Sequence, residues 1–282
     1  MTTFDRVAIV DWSGGNDTGS RPRKDAIWIG ETHKGQSSEP EYIRNRMEAE
    51  RALETLIEET LASRSRLFLG FDFPFGFPAG FAQALTGQAD PFAVWEWLED
   101  RIEDTSHSNN RFDVAADINR RFPGVGPFWF NGLQRDIPDL PRRDIREEHG
   151  MPERRKVEQE TKGAFACWQM GGAGAVGGQI LTGLPVLQRL RHRFAGQISV
   201  WPFEKQDRPV TFVEIWPGLI NPAVKEAERQ GGLRDAEQVR LLARVISRLP
   251  PDTLCDMLRV NAPEEGWIMG LGYEDRLNEL AR

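Results

Sequence analysis

The sequence predicts an α/β protein: a mixed sheet flanked by helices, in a single domain over residues 1–282 with a largely helical insertion at about 80–200. Three observations predict it. Two short apolar runs, RVAIVD at the start and RLFLGFD near residue 70, each end in an aspartate followed by turn residues, as strands buried on both faces do. Between them, RMEAERALETLIEETLAS places Ala49, Leu53, Leu56, Ile57 and Leu61 at helical spacing. The Pro-, Gly- and charge-rich stretch 123–152 is too long for an ordinary connection and marks an excursion from the sheet.

The elements follow in order. SGGNDTGSRPRKD reads as a turn-rich loop, Ala26 to Gly30 as a second strand and Glu41 to Arg44 as a short third. PFAVWEWLEDRIED and Asp113 to Arg121 read as helices. KGAFACWQMGGAGAVGGQILTGLPVLQRLRHRF reads as a glycine-rich turn entering a helix over 184–194. PVTFVEIWPG returns to strand and carries Glu214. A helix over 235–249 then sets Ala236, Val239, Leu242, Ala243 and Ile246 on one face, and short helices over 252–260 and 274–281 close the chain. There is no internal repeat.

With 39% hydrophobic and 28% charged residues, the composition is that of a globular protein. No apolar stretch reaches the roughly 20 residues that span a bilayer, and the first residues lack the pattern of a secretory leader. Cys167 and Cys255 are far apart and outside any CxxC pattern, which argues against a disulfide framework and a structural zinc site. The expectation is a cytoplasmic protein without a membrane partner; oligomeric state is left open. A net charge of −7 speaks against broad, non-specific attraction to nucleic acid. The basic residues Arg142, Arg143, Arg146, Arg154, Arg155 and Lys156 are interleaved with acids and read as a solvated loop face. Four scattered histidines give little support to Ser-His-Asp or Cys-His chemistry.

The acids carry the functional signal. Asp11 and Asp72 close the two clearest buried strands, and in open α/β sheets functional groups gather beyond the carboxyl ends of the strands. Carboxylates brought together there repel unless a cation lies between them, and Mg²⁺ or Mn²⁺ prefers oxygen ligands. Glu214 sits inside an apolar strand, where an acid is costly unless paired or metal-bound; the alternative is an edge-strand glutamate facing water. Asp235 opens a capping box with Gln238 and shares the helix face of Val239 and Leu242, so it can cap and face the site together. Lys24, in the loop before the second strand, is a candidate phosphate contact, as are Lys162 and Gln179 flanking GGAGAVGGQ. The plainer readings are a solvated lysine and a turn for close backbone packing. The glycine spacing matches neither GxGxxG nor GxxxxGKS.

In their order, VDWSGG, GFDFPFGFP, VEIWPG and RDAEQVRLLA resemble the DUF429-type group of predicted nucleases of the ribonuclease H-like fold. KGAFACWQMGGAGAVGGQILTGLP and EEGWIMGL resemble segments of one branch, whose members are often labelled cobalamin or molybdopterin-guanine dinucleotide biosynthesis proteins. The resemblance implies a ribonuclease H-like mixed sheet of about five strands, the first three antiparallel, with helices on both sides. It further implies a metal-dependent nuclease acting on nucleic acid or a nucleotide, with Asp11 as bridging ligand of Mg²⁺ or Mn²⁺ and Asp72, Glu214 and Asp235 completing the set. Two other functions stay open: a nucleotide phosphotransferase or ATPase of the related actin-like fold, and a non-catalytic protein linked to cofactor assembly. Aromatic residues in WPFEKQ, EIWPG and GPFWFNG would line a cleft in that last case, though core packing is the plainer reading.

Overall fold

Val7, Ala8, Ile9 and Val10 are covered on both faces of the sheet, so a continuous apolar run rather than an alternating one forms the central strand, β1 (Arg6–Asp11). The computed structural model describes residues 3–15, 17, 19, 26–143, 145–172 and 174–282; Lys24 lies outside them. After β1 come β2 (Ile27–His33), β3 (Gln36–Ser37), β4 (Glu41–Ile43), α1 (Arg46–Ala62) and β5 (Leu67–Phe71). Then follow α2 (Phe81–Thr86), α3 (Pro91–Glu99), α4 (Arg111–Asn119), α5 (Lys156–Glu160) and α6 (Val176–Arg193). The chain returns to the sheet with β6 (Ile198–Val200) and β7 (Val210–Glu214). A 3₁₀ turn (Pro217–Ile220), α7 (Asn221–Arg229), α8 (Arg234–Ser247), α9 (Pro251–Met257) and α10 (Glu274–Ala281) complete it.

Among the described residues the sheet is mixed and has seven strands in the order β3-β2-β1-β5-β7-β6, with β4 also paired to β2. β1 runs antiparallel to β2 and parallel to β5; β7 runs parallel to β5 and β6. The count exceeds the expected five because β3 and β6 are only two and three residues long, too short for a periodic signal. The chain divides into two compact units. One comprises residues 1–72, 190–262 and 267–282 and contains the whole sheet; the other comprises 73–189 and 263–266.

In the sheet-bearing unit, α8 packs on β1 and β2 through an apolar face that includes Val239, Leu242, Ala243 and Ile246. Gly30 permits the contact: a Cβ there would lie 2.6 Å from the Val239 backbone. On the other end of the sheet, α1 stops at a C-cap on Ser63, followed by Arg64 in the left-handed region with φ of +53°. The Arg64 N–H donates to the Leu61 carbonyl and the Ser65 N–H to that of Thr60. That position favours glycine, and a residue with a Cβ costs about 1–2 kcal/mol there.

The second unit is built around Trp168, whose ring centroid lies 5.1–5.2 Å from those of Phe77, Phe81 and Phe128. The Asn119 side chain receives the Phe128 N–H and donates to the Phe128 and Asp139 carbonyls, anchoring the irregular stretch after α4. The EEGW segment serves two helix starts. Glu264 accepts the Gly80 N–H at the mouth of α2, and Glu265 accepts the Lys156 N–H at the mouth of α5, where unsatisfied donors favour acids. α6 begins at Val176, eight residues before the expected 184, and runs through Pro185. Its glycines are read by the sequence as a turn, yet they are helical because they admit close neighbours. A Cβ at Gly183 would meet the Phe73 ring at 2.4 Å, and one at Gly177 the Cys167 carbonyl at 2.8 Å. Phe128 and Trp201 are fully buried, so these two members of the aromatic stretches are packing residues. No helix among the described residues is long and apolar enough to cross a membrane.

The Gly30 contact yields a direct test. Gly30→Ala should lower stability by about 1–3 kcal/mol, as overpacking against fixed backbone does, read as a fall in urea midpoint with unchanged slope.

Candidate carboxylate site

The parallel pairing of β1 with β5 runs from Arg6 opposite Leu67 to Val10 opposite Phe71. One residue further on, Asp11 and Asp72 leave their strands side by side. The Trp12 N–H donates to Asp72 Oδ1 at 2.7 Å and the Asp72 N–H to the Val10 carbonyl at 3.3 Å. The Asp11 and Asp72 side chains are hydrogen-bonded to one another. Burial first, then the Asp235 charge, push the Asp72 carboxyl up to about 7, against the Trp12 and Asp72 N–H groups and the Asp11 bond, which pull it down.

Asp235 reaches this environment from α8. The sequence reads it as the helix cap, but the cap is Leu233, without a side-chain cap bond; the Leu233 carbonyl takes the Glu237 N–H, and Asp235 is the second helical residue. Its carboxylate therefore acts on Asp72 from within the first turn. The sheet face agrees. Ile9 pairs with Gly30, which meets α8, and side chains two apart on a strand share a face, so Asp11 projects toward the α8 side. Gly70, two before Asp72, has the side chains of Ile9 and Ile215 against its Cα on that same side.

Glu214 stands elsewhere. It pairs with Phe71, in the row of Val10, and alternation directs its side chain to the face opposite Asp11 and Asp72. It is 2% exposed on a strand flanked by β5 and β6, which removes the edge-strand explanation. Its carbonyl accepts the Met269 N–H at 3.0 Å. The structure thus unites Asp11, Asp72 and Asp235 and sets Glu214 across the sheet. Lys162 is exposed and Gln179 half-buried on α6, both within the second unit.

Two arginines missed by the sequence reading hold the loop that follows Asp11. Arg46, 1% exposed, donates through Nη1 to the Ser13 and Gly15 carbonyls. Arg44 Nη1 binds Asp17 Oδ2 at 3.0 Å, and Tyr42 donates to the same oxygen. A signal for Arg46 existed: it is the first residue of α1, after the Asn45 cap, where the helix dipole disfavours a cation. A cation kept there has another task.

Among the described residues no group of three or more His, Cys, Asp or Glu side chains is arranged to hold a metal ion. The donors fit a hard cation nonetheless: two carboxylates leave adjacent strands side by side, a third acid lies in electrostatic reach, and Mg²⁺ commonly takes one or two carboxylates and completes its shell with water. Compared with family models, curated proteins and solved structures, the chain matches none.

The raised Asp72 carboxyl sets a pH dependence. Between its ordinary value of 3.8 and about 7, the folded chain binds a proton that the unfolded chain has released, so this contribution to stability is complete below 3.8 and lost as pH rises through 7. Asp72→Asn should remove that decline, leaving the variant more stable than the parent at pH 8 by at most about 4 kcal/mol, as measured by urea unfolding at pH 5 and pH 8 without added metal.

Proposed function

We propose that the protein is a divalent-metal-dependent phosphodiester hydrolase, a nuclease, whose centre is Asp11, Asp72 and Asp235. The observation that carries this reading is the placement of Asp11 and Asp72 side by side at the carboxyl ends of adjacent parallel strands, with the Asp235 charge acting on Asp72. Acids placed where apolar residues would pack better reflect use rather than stability. The ribonuclease H-like assignment is supported by the order of the sheet, in which β3, β4 and β2 precede β1 on one side through antiparallel pairing and β5 and β7 continue in parallel on the other. An acid in the first turn of the helix on that sheet adds to it.

In this reading Asp11 and Asp72 would hold Mg²⁺ or Mn²⁺, and Asp235 would be the further acid of the set. A bound dication supplies the Lewis acid that activates water and stabilises the leaving oxygen of a phosphodiester. With its carboxyl raised to about 7, Asp72 would bind a cation in competition with a proton. The Trp12 N–H fixes the orientation of the Asp72 carboxylate, and Arg46 fixes the turn beyond Asp11 through two carbonyls. Glu214, whose strand position faces the opposite side of the sheet, is left outside this set. The substrate class is nucleic acid or a nucleotide diester.

The test is cleavage of labelled single- and double-stranded DNA and RNA with Mg²⁺, with Mn²⁺ and with EDTA. Cleavage should require the dication, and Asp11→Asn and Asp72→Asn should each lower it at least about 100-fold, while Glu214→Gln stays within about tenfold. Undiminished cleavage by Asp11→Asn, or equal cleavage in EDTA, defeats the proposal. The melting-temperature rise produced by Mn²⁺ should also grow from pH 6 to pH 8, because the ion and a proton compete for Asp72.

A further inference from the structure

A concentration of positive charge lies at the other end of the sheet, beyond the amino end of β5. There a cleft of about 580 Å³ is lined by Leu61, Arg64, Ser65, Arg66, Asp207 and Arg208, among others. Three arginines face one aspartate across it, in a chain whose net charge is −7.

The arginines are unequally neutralised: Arg208 is ion-paired with Glu204, whereas Arg64 and Arg66 have no carboxylate on their guanidinium groups among the described residues. The Arg64 side chain makes no hydrogen bond or ion pair among the described residues. Arg66 lies over the Phe4 ring at 5.4 Å and donates through Nη2 to the Gln206 carbonyl, while its Nε is buried without a partner. The neighbouring Asp5 carboxylate bonds the Arg66 backbone N–H at 2.8 Å. Arg208 is directed by the Ile198 carbonyl and by Glu204 at 3.3 Å.

Arg64 is the informative member. It occupies the left-handed position that closes α1, where glycine is favoured. A cation serving only the helix dipole would sit unstrained in the last turn, and the last turn of α1 has none. Strain retained at such a residue points to use of its side chain. Arginine forks match the oxygens of phosphate.

We propose that this cleft binds phosphate groups through Arg64, Arg66 and Arg208, presented by a small diphosphate-bearing molecule or by a nucleic-acid strand. At about 3.3 Å per residue, the five residues of β5 place it roughly 16 Å from the carboxylates, so the site does not depend on the hydrolase reading.

The experiment is calorimetric titration in EDTA, which keeps the carboxylate chemistry silent, of the full chain with pyrophosphate and with a ten-residue oligothymidylate. Arg64→Gly relieves the backbone and should raise the melting temperature, yet weaken binding of the recognised probe about tenfold or more; Arg64→Lys should retain more of it. Binding of pyrophosphate that is sensitive to Arg64→Gly identifies a small diphosphate ligand. Sensitive binding of the oligonucleotide alone identifies a strand. The proposal fails if neither probe binds the parent more tightly than roughly 1 mM, or if Arg64→Gly binds both as the parent does.

Discussion

The register between β1 and β5 is the constraint on which the rest of the carboxylate site depends. A slip of one residue would turn every side chain of one strand to the other face, separating Asp11 from Asp72 and exposing Val7 or Val10. The apolar residues that would be displaced are among the least accessible in the chain, each contributing about 1.5–3 kcal/mol by burial. The strands are held by their hydrophobic majority, and the two aspartates at their ends are carried into proximity by it. Burial and the Asp235 charge push the Asp72 carboxyl up to about 7, which is how this proximity shows itself electrostatically.

That arrangement has layers. β1 and β5 deliver two carboxylates, α8 delivers a third from the face on which Gly30 lets it lie close, and the Asn45-capped start of α1 delivers the guanidinium that holds the intervening turn. Each group comes from a different element, yet all lie within the unit that contains the sheet. The Trp12 N–H connects the two acids through the backbone, so the direction of Asp72 follows from the path of the chain itself.

Much of this was legible in the sequence, for reasons particular to each element. β1, β5, α1 and α8 announce themselves through buried runs or through helical spacing, and Asp11 and Asp72 stand out where those runs end. Glu214 was legible as anomalous but not as to face, because a strand buried on both sides has no alternation from which orientation can be read; only pairing with Phe71 decides it. Asp-x-x-Gln satisfies the capping pattern at Asp235, whereas the helix takes its first bond two residues earlier, at Leu233. β6 and α2 are too short for periodicity to register. The beginning of α6 was hidden by glycines that look like a turn and serve close packing.

The hold of Arg46 on the segment after Asp11 acts on the carbonyls of Ser13 and Gly15, atoms that every amino acid supplies. A Cβ added at Gly15 would meet only the Ser13 hydroxyl, at 3.4 Å, an ordinary contact. The Ser13 hydroxyl also takes the Gly15 N–H and the Asp17 carboxylate the Gly19 N–H, so the turn tolerates a new side chain at position 15 more readily than the loss of Ser13 or Asp17.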